Sequence, residues 1–74
     1  MAGKRLRGLS AQRVVRAFER AGFELDRVAG SHYILVRDGG PTISIPRHDP
    51  VKVGLLLSKI KAAGLTYEEF EALL

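Results

Sequence analysis

Between Gly22 and Pro46 the apolar residues abandon one spacing for another, and this change limits the fold more than any other feature of the chain. Before it, Ala11, Val14, Val15, Phe18 and Ala21 fall on one face at helical spacing. Ser10 is placed to cap that helix, Leu9 to staple onto Val14, and Gly22 to end it in the C′ role. Within the changed region, Phe23 and Leu25 alternate with Glu24 and Asp26, as a half-buried strand requires. His32–Val36 is rich in β-branched and aromatic residues, Gly39-Gly40 supplies a hairpin turn, and Ile43 and Ile45 alternate with polar residues until Pro46 closes a third strand. Helical spacing then returns. Asp49-Pro50 predicts the start of a second helix, with an acidic cap and proline at its first position. Val53, Leu56, Leu57 and Ile60 form its core stripe, and Gly64 ends it. Val51, Leu55 and Ala62 give it a second apolar side. A tail helix, opened by the Thr66–Glu69 capping-box pattern and carrying Tyr67, Phe70, Leu73 and Leu74, is the expected cover. The order α-β-β-β-α with a short C-terminal helix predicts an α+β fold, a three-stranded antiparallel sheet with its helices on one face.

With 74 residues, this pattern has to close a single small core, so residues 1–74 are read as one domain. No cysteine is present, which removes disulfides and thiolate metal sites and suits a reducing, cytoplasmic setting. No apolar run approaches the roughly 18–20 residues of a membrane span. The basic start "MAGKRLRG" lacks the apolar stretch of a signal peptide. Twelve basic side chains stand against eight acidic ones, a net charge of +4. Lys4, Arg5, Arg7, Arg13, Arg16 and Arg20 gather early against Glu19 alone, while Glu68, Glu69 and Glu71 gather at the other end. A basic body of this kind suits a polyphosphate partner. Arg13, Arg16 and Arg20 form one stripe on the first helix, placed for phosphate contact.

Only two histidines are present, and their positions carry the chemistry. His32 follows Gly30 and Ser31, small residues that let a phosphate or ribose approach the backbone closely. Imidazole titrates near neutrality and suits proton transfer at a ribose 2′-hydroxyl, the nucleophile that RNA carries and DNA lacks. A histidine at a strand start is more often structural, and strand parity leaves its direction open. His32 shares parity with Ile34 and Val36, Tyr33 with Leu35 and Arg37, and both sets are apolar enough to face a core. His48 lies before the second helix between Arg47 and Lys52, where a solvated loop residue is the plainer reading. Two histidines without cysteines or clustered carboxylates predict no metal site and no cofactor. Gly54 interrupts a helix at a cost of about 1 kcal/mol relative to alanine. Close packing on the sheet is the expected reason, and close approach of a ligand the alternative.

Taken in order, an N-terminal helix, "GFELDRVAGSHYIL", "ISIPRH" and "VGLLLSKIKAAGLT" resemble the HicA (YcfA-like) family of toxin endoribonucleases, from Ser10 to Thr66. The resemblance implies a double-stranded-RNA-binding-domain-like fold, ribosome-independent cleavage of mRNA, and neutralisation by a HicB-type antitoxin. It implies that the histidine of the Gly-Ser-His element, His32, is catalytic. It maps the Pro-x-His element onto Pro46 and His48, and the helix glycine onto Gly54. Two positions depart from the family pattern. Tyr33 stands where a second histidine often follows the first, and Leu55 stands where a hydroxyl residue usually follows the glycine. The resulting expectation is the toxin of a type II toxin–antitoxin system, a metal-independent endoribonuclease with His32 as general acid or base. Arg13, Arg16, Arg20, Ser31, Arg47, His48, Lys52 and Lys59 are its expected RNA contacts. The alternatives are an RNA-binding module without catalysis, and an interaction protein whose second apolar helix face receives a partner.

Overall fold

Ser10 begins the first helix, α1 (Ala11–Arg20), by accepting a hydrogen bond from the Arg13 amide through its side chain at 3.2 Å. The computed structural model describes residues 6–74, so Lys4 and Arg5 of the basic start lie outside the described residues. Gly22, at φ 102°, ends α1 as expected. The Gly22 amide donates to the Glu19 carbonyl and the Phe23 amide to the Phe18 carbonyl, the two bonds of a Schellman turn. Only glycine adopts that backbone without strain.

Three strands follow: β1 (Glu24–Ala29), β2 (His32–Val36) and β3 (Ile43–Pro46). They pair antiparallel in the order β1-β2-β3. The helices lie over the sheet face that carries Leu35, Ile43 and Ile45, each no more than 1% exposed. These side chains pack with Val14, Phe18 and Phe23 in one core. Because successive side chains on a strand alternate in direction, His32, Ile34 and Val36 point to the other face, and Tyr33 lies with Leu35 on the helix side. The open question of parity is thereby answered.

β1 departs from the expected half-buried strand. Every one of its residues is exposed, Leu25 by 41% and Val28 by 47%. The register shifts between Leu25 and Arg27, which puts Asp26 in a bulge and moves Val28 onto the same side as Leu25. β1 is an edge strand. Phe23, expected within the strand, is buried in the turn ahead of it.

The second helix, α2 (Val53–Ala62), starts later than the Asp49-Pro50 pair predicts. Lys52 occupies its N-cap position and makes no side-chain capping bond. The Asp49 carboxylate instead accepts a hydrogen bond from the Ala11 amide at 2.7 Å, capping the start of α1 alongside Ser10. Val51, expected on the second side of α2, precedes the helix and is buried in the core, its amide donating to the Leu9 carbonyl at 2.8 Å. A local rule named the right kind of residue and the wrong helix.

Leu56 and Ile60 form the buried stripe of α2, with Leu57 partly buried beside them. Gly64, at φ 80°, ends it with a second Schellman turn, its amide donating to the Lys61 carbonyl and the Leu65 amide to the Ile60 carbonyl. Gly54 does not serve packing: it is exposed, and a Cβ added there meets nothing within 4 Å. The tail helix α3 (Tyr67–Glu71) opens with the expected capping box, Thr66 and Glu69 exchanging bonds of 2.8 and 3.1 Å. It drives Phe70 into the core against Phe18, ring centroids 5.0 Å apart, and leaves Leu55 exposed. The observed order is α-β-β-β-α-α, compatible with the double-stranded-RNA-binding-domain-like expectation. Among the described residues no helix is long and apolar enough to cross a membrane.

Candidate functional site

The β1–β2 hairpin turns through Gly30, at φ 58°, and Ser31, so its tip carries almost no side-chain bulk. His32 opens β2 directly behind that tip, paired with Ala29 on one side and Pro46 on the other. Its imidazole is exposed on the sheet face that the helices leave open. No hydrogen bond to it is formed among the described residues.

The segment after β3 is fastened at every second residue, first to the hairpin tip and then to the start of α1. The Arg47 amide donates to the Ser31 carbonyl at 2.6 Å, the Asp49 carboxylate holds the Ala11 amide, and the Val51 amide donates to Leu9. His48 and Lys52 lie between and beyond these anchors and are exposed. Ser31, His32, Arg47 and His48 are therefore gathered at one end of the molecule, where both α1 and α2 begin. The Arg47 guanidinium lies over the Tyr33 ring, 5.6 Å from its centroid.

The expected arginine contacts are placed differently. Arg13, Arg16 and Arg20 run along the solvent side of α1, on the layer opposite the imidazole of His32. Arg13 is nearest the hairpin end, and Arg20 lies about 10 Å further along the axis. Arg20 also donates to the Leu73 carbonyl at 2.7 Å, which ties it to the tail. The three arginines line a shallow cleft with Leu74. Lys59 sits in the last turn of α2, again roughly 10 Å along the helix from Lys52. The structure thus gathers Ser31, His32, Arg47, His48 and Lys52 towards one end and spreads the other four cations along the helices.

The family model for the HicA toxin of bacterial toxin–antitoxin systems matches residues 11–65, from the first residue of α1 to the turn after α2. This chain belongs to the HicA toxin family. Membership makes it a toxin of a toxin–antitoxin pair, and so the counterpart of an antitoxin. The matched span contains all three strands, the Gly-Ser-His tip and the anchored segment, whereas α3 lies beyond it. No curated protein matches the chain.

Two residues at this end of the chain escape sequence reading. Gln12 and Asp49 line, with Ala11, Tyr33 and Arg47, a cavity of about 280 Å³ on the helix side of the hairpin. Gln12 carries no local signal, being one polar residue on an amphipathic helix. Asp49 carries a misleading one, since Asp-Pro before a helical pattern reads as the cap of the helix that follows. Among the described residues no three His, Asp or Glu side chains converge to hold a metal ion.

Proposed function

We propose that this HicA-family toxin is a metal-independent endoribonuclease that cleaves mRNA in the cytoplasm and is held inactive by a HicB-type antitoxin. The observation that carries the reading is the exposed imidazole of His32 behind a bare Gly-Ser tip, inside the span that matches the family. A tip without bulk lets the sugar–phosphate backbone of RNA reach the imidazole. His32 takes the proton of a ribose 2′-hydroxyl, whose oxygen attacks the adjacent phosphorus while the bond to the 5′-oxygen breaks. The products are a 2′,3′-cyclic phosphate and a 5′-hydroxyl. The departing 5′-oxygen takes its proton from solvent or from His48, and a His48→Ala variant separates the two sources. Ser31 and Lys52 contact the phosphates nearest the reaction, Arg47 meets the RNA on the Tyr33 side of the hairpin, and Arg13, Arg16, Arg20 and Lys59 hold the flanking chain.

The test is incubation of the purified toxin with mRNA in excess chelator. Wild type yields fragments with cyclic phosphate ends. His32→Ala lowers the rate by roughly 100-fold or more, the range general acid–base catalysis supplies. Its thermal midpoint stays unchanged, because the side chain is exposed and makes no bond. A folded His32→Ala protein that cleaves at the wild-type rate overturns the assignment.

One observation favours a second reading, an RNA-binding module without catalysis. No described residue orients the His32 imidazole through a hydrogen bond, whereas catalytic histidines are commonly held by a third group. Binding of RNA without fragments, by wild type and His32→Ala alike, decides for that reading.

A further inference from the structure

The cavity behind the hairpin lies one residue along the chain from His32, on the opposite face of the sheet. We propose that it is a base-recognition subsite, in which one unpaired nucleobase of the RNA lies against Tyr33 and Arg47 and is read by Gln12 and Asp49. The inference rests on the RNA reading above and extends it to sequence selection.

Tyr33 is partly buried and packs against the core, and it lines a cavity of about 280 Å³. The Arg47 guanidinium over the ring adds a second flat surface. Aromatic rings and guanidinium planes are the two surfaces on which proteins stack unpaired bases. Beside Ala11, the remaining wall residues, Gln12 and Asp49, are polar. The Gln12 amide makes no hydrogen bond among the described residues, so its donor and acceptor are both available. Asp49 uses one carboxylate oxygen on the Ala11 amide, which fixes the group and leaves the other oxygen as an acceptor. An acceptor beside a free amide selects a base that presents adjacent N–H donors. Guanine fits best, since its ring N1–H and exocyclic amino group lie side by side.

Access follows from the tip. Only Gly30 and Ser31 separate the two sheet faces there, and Ser31 is held to Arg47 through the backbone. A single strand can fold over this thin edge, leaving its phosphate at His32 and placing a neighbouring base on the Tyr33 side. A duplex cannot, because its bases remain stacked and paired. The subsite therefore restricts cleavage to unpaired RNA with guanosine near the cut.

The test uses fully 2′-O-methylated hexanucleotides, which cannot undergo 2′-oxygen attack whatever the catalytic residue. Oligouridine is compared with the same chain carrying one guanosine, by fluorescence anisotropy. Wild type prefers the guanosine oligonucleotide. Tyr33→Leu weakens binding roughly 5- to 100-fold, the range that stacking of one base supplies. Gln12→Ala keeps most of the affinity and loses the preference. Gln12 and Arg47 are exposed, so Gln12→Ala and Arg47→Gln carry the test if Tyr33→Leu does not fold. Unchanged affinity and preference in the folded variants overturn the subsite. Cleavage of long RNA by a wild-type protein that shows no base preference overturns it too, and leaves the nuclease reading standing. A wild-type protein that neither binds nor cleaves RNA overturns both.

Discussion

The hairpin end and the solvent side of α1 both offer positive charge to a polyanion, yet they are built in opposite ways. At the hairpin end the backbone is pinned by strand pairing on two sides of His32 and by bonds at Arg47, Asp49 and Val51. Along α1 the arginines stand on a helix with no acidic partner among the described residues, only Arg20 being tied, to Leu73. Proton transfer depends on placement to a fraction of an ångström, whereas phosphate attraction acts over several ångströms and tolerates loose side chains. Under the proposed nuclease reading, the contrast matches chemistry and base choice to the pinned end, and capture of the RNA chain to the loose stripe.

The largest expected effect that separates these roles comes from the stripe. Replacing Arg13, Arg16 and Arg20 together with Gln lowers RNA affinity about 10- to 100-fold at low salt. It flattens the slope of log affinity against log salt by about 2, near 0.7 for each single-strand phosphate that is no longer neutralised. The single-turnover rate at saturating RNA stays near wild type. A fall in that rate with the salt slope intact would mean that the stripe belongs to the reacting end.

Next in size is loss of the pin. Asp49→Ala frees the Ala11 amide and removes a cap, at about 1–2 kcal/mol. For a domain of this size that lowers Tm by roughly 4–16 °C. Ser10→Ala removes the other cap of the same helix for about 1 kcal/mol. It leaves the hairpin end attached and the Asp49 carboxylate in the proposed base subsite, so its effect on RNA cleavage is smaller than that of Asp49→Ala at matched stability. Equal reductions in cleavage would show that α1, not the fastened segment, organises the end.

The smallest change sharpens the comparison from α2. Gly54→Ala has room for its methyl group and raises stability by no more than about 1 kcal/mol. If a nucleic-acid backbone passes close to Gly54, the same variant binds RNA more weakly while melting at a higher temperature. A variant that gains stability and keeps full affinity places the RNA elsewhere.

What the sequence disclosed divides along the distance between partners. Ser10, the turns at Gly22 and Gly64 and the Thr66–Glu69 box were legible because each completes its bonds within a few residues. Asp49 was misassigned because its partner is 38 residues away, and nothing in "PRHDP" distinguishes a near amide from a far one. The inner face of β2 was ambiguous because Ile34 and Val36 are as apolar as Leu35, and only the buried Ile43 and Ile45 of β3 reveal which set meets the helices. Leu25 misleads because alternation alone does not show that its strand lies at the sheet edge, bulges at Asp26 and is exposed throughout. At the candidate site, the Gly-Ser-His element was visible in the letters. The cavity of Gln12, Tyr33, Arg47 and Asp49 was not, since its walls come from three separate parts of the chain.

The bond between Asp49 and Ala11 also orders events in time. A contact across 38 residues closes a long loop, and the entropy of that closure is lost before any local gain is collected. During synthesis α1 and the β1–β2 hairpin leave the ribosome before Asp49 and Val51 do. Until those residues arrive, the start of α1 lacks one of its two caps and Arg47 has no fixed neighbour after it. The end that carries His32 is consequently completed late, when most of the chain has been made. The Gly-Ser-His tip therefore forms early as a local hairpin, but its attachment to the start of α1 waits for the later-made segment that carries Asp49.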